Sequence, residues 1–232
     1  AQLDKLTASD ARQGDNFGSS VAIDGTIAVV GARGDDGLGN QSGAVYVFDT
    51  ATSAELFRLT AVDASEFAQL GRSVDVSGDT IIASAPGSST FGVIGSAYLF
   101  DAQTGAQTAK LTASDGAAGD RFGRAVAVDG NVAIVGAESH DGVGDDSGAA
   151  YLFDVATGLE IAKLSPTDAS AGDQFGTSVD IQGNIAIVGS PSNRPQGSNN
   201  GSVYLFDVST GAQIAKLTPT DAGVSDAFGY SV

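Results

Sequence analysis

The chain repeats itself, and the period limits what it can build. "NFGSSVAIDGTIAVVGA" at 16–32 returns as "RFGRAVAVDGNVAIVGA" at 121–137 and "QFGTSVDIQGNIAIVGS" at 174–190, with a weaker copy, "QLGRSVDVSGDTIIASA", at 69–85. Taking the aromatic or Leu before each Gly as the phase marker, Phe17, Leu70, Phe122, Phe175 and Phe228 are spaced by 53, 52, 53 and 53 residues. A unit of this size cannot bury a core alone, so its neighbours must supply the other wall. The spacing divides the chain into repeats at 17–69, 70–121, 122–174 and 175–227, with 1–16 and 228–232 as partial copies of one continuous region, 1–232.

Each repeat contains four short β-rich runs, in the first copy "SSVAID" (19–24), "TIAVVGA" (26–32), "GAVYVFD" (43–49) and "ELFRLTA" (55–61). Asp24-Gly25 joins the first pair, and Ser77-Gly78, Asp129-Gly130 and Gln182-Gly183 stand at the same place; these are tight hairpin signals. The third and fourth runs are joined by segments such as "DAQTGAQ" and "DVATGLE", Asp first and usually Gly late. Every connection suits antiparallel neighbours. The second run is apolar on both faces, so it should lie between two other sheets, while the third alternates around Tyr46 and Phe48, repeated as Tyr98/Phe100, Tyr151/Phe153 and Tyr204/Phe206, which we assign to the core. The expectation is an all-β fold, a β-propeller of four-stranded antiparallel blades.

The motifs "FGSSVAI", "AVVGARG" and "GAVYVF" resemble the FG-GAP repeat, the blade of integrin α-chain propellers and of many exported bacterial proteins, over essentially the whole chain. The resemblance implies a propeller with more blades, usually seven. It also implies a location outside the cell or at its surface, and calcium in an Asp-rich loop between the first two strands. Here that loop has shrunk to Asp24-Gly25 or its equivalents, too short to wrap an ion that takes six to eight oxygens, so that site is not carried over.

Composition excludes several partners. Twenty-eight acidic and 11 basic side chains give a net charge of −17, which repels nucleic acid and anionic membranes. No apolar stretch is long enough for a membrane helix, so membrane insertion is not expected. There is no Cys for a disulfide or thiolate site, and no Met even at position 1, which suggests a processed or excised segment.

Topology puts the connections between strands two and three on one face with those leading to the next blade. Much of the acid lies in them. If a metal binds, the expectation is calcium, held by Asp35, Asp36 and Asn40 or by Asp141, Asp145 and Asp146, since an all-oxygen set favours a hard cation. The pairs Asp10/Asp15, Asp115/Asp120, Asp168/Asp173 and Asp221/Asp226 are expected to accept backbone hydrogen bonds in turns. Arg33-Gly34-Asp35 spells the tripeptide that integrin-class receptors read, but the aligned copies have Glu138-Ser139-His140 and Pro191-Ser192-Asn193, so we read it as a variable loop. His140 is likewise read as an exposed loop residue, and no nucleophile, acid or base is singled out.

These residues point to a non-enzymatic, exported propeller module that presents an acidic loop face to a protein or glycan partner, takes part in adhesion, or builds a surface structure. The alternative is an accessory propeller of a larger secreted hydrolase or lyase. The opening 1–21 and closing 212–232 occupy the same phase, so one strand is supplied twice. We therefore expect self-association as a dimer, larger ring or filament, or continuation in a longer array.

Overall fold

The computed structural model describes residues 4–193, 200–221 and 226–232, so the first three residues of the duplicated opening segment and 222–225 of the closing one lie outside the description. Four antiparallel sheets of four strands follow in order along the chain. Blade 1 consists of β1 (Phe17–Asp24), β2 (Ile27–Ala32), β3 (Ala44–Asp49) and β4 (Glu55–Leu59). Blade 2 has β5 (Val74–Ser77), β6 (Thr80–Ala85), β7 (Ser96–Asp101) and β8 (Gln107–Leu111), with a 3-10 turn at Ser89–Phe91. Blade 3 has β9 (Phe122–Asp129), β10 (Val132–Ala137), β11 (Ala149–Asp154) and β12 (Glu160–Leu164). Blade 4 has β13 (Ser178–Gln182), β14 (Ile185–Ser190), β15 (Ser202–Asp207) and β16 (Gln213–Leu217). The all-β propeller architecture expected from the repeats is the one observed.

The first hairpin of each blade turns on a glycine, Gly25, Gly78, Gly130 or Gly183, at φ between 54° and 57°, the left-handed conformation a two-residue hairpin requires. The third strand is buried on both faces, not only on its Tyr/Phe side. Val45 and Val47 face blade 2, while Tyr46 and Phe48 point the other way. The blade–blade packing that was expected for the second strand therefore extends to the third.

The Phe-Gly element explains how blades meet. Gly71, Gly123, Gly176 and Gly229 lie at φ between 85° and 91°, and a Cβ on Gly71 or Gly176 would run into the carbonyl of Ala44 or Ala149 in the preceding blade. Ser20 Oγ donates to the Gly71 carbonyl at 2.8 Å, and Ser178 Oγ repeats the bond to Gly229. Asp24 and Asp129 accept the hairpin amides of Gly78 and Gly183, one blade on.

Three core clusters fill the spaces between successive blades. A fourth lies on the outer side of blade 1, where Leu6 and Ala8 of the N-terminal arm cover Tyr46 and Phe48. The arm takes the place of the end of a fourth strand: Ser9 N donates to Glu55 as Ser114 N does to Glu160. Among the described residues no buried cluster joins blade 4 to blade 1. Val21 and Ile23 of β1 are 69% and 68% exposed, whereas their counterparts Val74 and Val76 are buried. On blade 4, Leu217 is exposed while its counterpart Leu164 is fully buried.

Candidate functional site

The long connections do share one face. Asn40 O, Gln41 O and Ser42 O accept the amides of Phe67, Gln69 and Leu70, which ties the β2–β3 loop to the β4–β5 loop. The same contacts recur in blade 3, where Asp146 O and Ser147 O accept from Gln174 and Phe175.

A polar network at the rim repeats blade by blade. The buried tyrosine of the third strand donates to the first Asp of each pair: Tyr46 to Asp10 at 2.6 Å, Tyr98 to Asp63 at 2.9 Å, Tyr151 to Asp115 at 2.8 Å and Tyr204 to Asp168 at 3.1 Å. A cation on the fourth strand pairs with the same carboxylate: Arg58, Lys110, Lys163 or Lys216. Burial pushes the carboxyls of Asp63, Asp115 and Asp168 up. The lysine and the tyrosine hydroxyl outweigh it, so each ends below the ordinary aspartate value. The tyrosines move upward, mainly through burial and through the adjacent carboxylate.

In three of the pairs the second Asp accepts a turn amide, as expected. Asp15, Asp120 and Asp173 take the amides of Arg12, Ala117 and Ser170 at 2.6 to 2.8 Å.

His140 is not exposed: it is 7% accessible and sits inside this network. Its Nε2 lies 2.7 Å from Lys163 Nζ, and its Nδ1 lies 2.9 Å from Asp120 Oδ2. An ammonium only donates, so Nε2 accepts and Nδ1 carries the proton that goes to Asp120. Asn193 does the same work in blade 4, donating to Asp173 and accepting from Lys216. Asp35 occupies this position in blade 1, 5% exposed, with Arg58 Nη2 at 2.6 Å. The Asp of the Arg33-Gly34-Asp35 tripeptide is thus committed inward.

The two proposed calcium sets are not assembled. Asp35 is spent on Arg58, while Asp36 and Asp141 accept the amides of Gln41 and Asp146 across their own loops. Among the described residues no three His, Cys, Asp or Glu side chains converge as a metal-binding group.

What the sequence reading missed is basic. At the centre of the loop face Arg33, Arg72 and Arg124, with Asn16, Ser19 and Tyr230, line a cavity of about 500 Å³. Arg72 and Arg124 also wall a neighbouring cavity of about 250 Å³, together with Arg121, Gln69 and the blade 2 loop. Glu138 pairs with Arg121 at 2.8 Å and with Arg124 at 3.0 Å. The side chains of Arg33 and Arg72 have no hydrogen bond or ion pair among the described residues. Burial, then Arg124 and Arg33, hold the Arg72 guanidinium below the ordinary arginine value. Beside this centre Phe67 and Phe91 stack at 3.9 Å, with Phe91 59% exposed and Phe67 held at φ 61°. The signal was legible as phase: Ser19, Arg72, Arg124, Thr177 and Tyr230 all stand two residues after the marker aromatic or Leu.

The sequence profile described as "FG-GAP repeat" matches residues 1–48, 54–100, 106–153 and 159–206, the last three spans each running from the start of a fourth strand into the third strand of the next blade. Among solved structures the chain is similar to the computationally designed Ika4 protein, with a TM-score of 0.57 at 16% identity over 89% of this chain and 99% of that one. No curated protein matches the sequence.

Proposed function

The chain belongs to the FG-GAP repeat family, and we propose that it works as a non-enzymatic, exported recognition module that holds its loop face toward a protein or glycan partner at the cell surface. FG-GAP repeats are typical of extracellular or surface proteins, which supports the location. One observation carries the reading: the rim network ties up the acid–base groups of the loop face. His140 Nε2 faces Lys163, so its basic nitrogen has no room for a nucleophile's proton, and each Tyr–Asp pair is closed by a cation. A face so bound up is rigid, which suits recognition.

The apolar residues left exposed at the outer sides of blades 1 and 4, Val21 and Ile23 beside the arm on one and Leu217 on the other, belong to the same proposal. Within the chain, each such face is covered by the next blade of the same repeat, so a second copy is the fitting occupant.

The test is an array of immobilised matrix proteins and oligosaccharides probed with the chain, alongside chromogenic glycoside and phosphodiester substrates. Retention without turnover supports the reading. Turnover by the isolated chain overturns it.

A further inference from the structure

We propose that the arginine-lined centre of the loop face binds a sugar carrying an oxyanion, with Arg72 and Arg124 holding the anionic group and Phe91 offering its ring to the sugar's apolar face. The inference rests on the recognition reading above and names its ligand class.

Three observations carry it. In a chain of net charge −17, four of the seven arginines line these two adjoining cavities, and among the described residues their ion pairs go to one carboxylate, Glu138, which takes Arg121 and Arg124. Like charges are gathered at a cost unless something compensates them. Arg72 is half-buried, has no carboxylate partner among the described residues, and stands between the two cavities, reachable from both. Its planar donor fork matches a carboxylate or a sulfate ester.

The walls decide what carries the anion. Asn16, Ser19, Gln69, Ser88 and Thr90 line the cavities with hydroxyl and amide groups, which suit a ligand rich in hydroxyls. Ser88 and Thr90, the second of them inside the turn at Ser89–Phe91, line the smaller cavity, and the exposed Phe91 follows Thr90 directly in the chain. An aromatic face next to polar groups accepts a sugar ring, whereas an acidic peptide would need apolar pockets for its side chains. A volume of about 500 Å³ admits one or two sugar rings. The acidic rim then limits the ligand: a dense polyanion crossing the face would be repelled, while an anion confined to the centre is not.

Phe67 adds a conformational argument. A bulky residue at φ 61° is strained, and it persists here in a stack that holds Phe91 outward.

The experiment is isothermal titration of the chain with tri-galacturonate, a sulfated galactose trisaccharide, neutral galactotriose and a short poly-glutamate peptide. The uronate or the sulfate ester should bind, the two arms separating which oxyanion is preferred, and the neutral sugar should not. Arg72→Gln should weaken binding about 10- to 100-fold, the range for losing a charge-assisted hydrogen-bond pair, and Phe91→Ala should weaken it with no loss of folding, because the ring is exposed. Arg12→Gln, away from these cavities, serves as the charge control. Equal binding of neutral and acidic sugar, binding of the peptide alone, no binding by either acidic sugar, or unchanged affinity in Arg72→Gln overturns the assignment. Array binding that survives Arg72→Gln sinks this site but leaves the recognition reading standing. Turnover on the substrate panel removes the recognition reading, whatever Arg72 does.

Discussion

One position in three blades holds Asp35, His140 and Asn193, and each side chain is matched to the strand-four cation beside it. Asn193 shows that an amide can both donate to the turn aspartate and accept from the lysine. His140→Asn should therefore be nearly neutral, whereas His140→Ala should cost about 1–3 kcal/mol in urea denaturation, the penalty for leaving buried partners unpaired. Glu138→Gln should lower stability by a similar 1–3 kcal/mol, because the buried carboxylate serves two guanidiniums. Stability against pH should be flat in the middle and fall at both ends. The aspartates at 63, 115 and 168 have folded values below 3.8, so their contribution is present above that value and fades as pH falls through it. The tyrosines at 98, 151 and 204 are raised above 10.0, so stability is lost as pH climbs past 10.0, where the unfolded chain ionises and the folded one does not. Thermal unfolding from pH 2 to 11 reads both limbs, and a curve still level at pH 3 would contradict the aspartate account. None of this was legible for His140 from sequence, since its partners Asp120 and Lys163 lie 20 and 23 residues away and reach it only through the blade's closure.

The marker glycine has one conformation at five places but not one environment. Gly18 lies at φ 86° with nothing near its missing Cβ, while Gly176 lies at φ 91° against the Ala149 carbonyl. Gly18→Ala should thus cost only the left-handed backbone term, about 1–2 kcal/mol. Gly176→Ala must also move the neighbouring strand and should lose appreciably more, as compared by denaturant midpoints. Equal losses would mean that the blade seam is not what fixes this residue. Strands and hairpins were readable because each carries its own local signal: alternation, Asx-Gly turns and Asp-x-x-Thr-Gly connections. Their Asp101, Asp154 and Asp207 indeed accept from Thr104, Thr157 and Thr210. The two-faced burial of β3 was not readable, since the small and branched residues Val45 and Val47 fit either an exposed or a seam-facing side.

At the scale of the molecule, the array leaves apolar surface at both ends. In sedimentation equilibrium at tens of micromolar the chain should exceed its 23.0 kDa monomer mass. Ile187→Glu with Leu205→Glu should restore the monomer, since both side chains are only partly buried on the outward side of blade 4. A stable monomer of the unaltered chain would retire the proposed assembly. The period told of repeated blades, yet net charge misdirected the reading of the loop face. A sum over the chain says nothing about where four arginines meet. The hairpin glycines at 25, 78, 130 and 183 have open space around them and lie opposite the arginine centre. That makes the molecule two-sided in a practical sense: a tether, label or inserted domain can be attached at those turns, and every immobilised copy would then present its recognition surface outward in the same orientation.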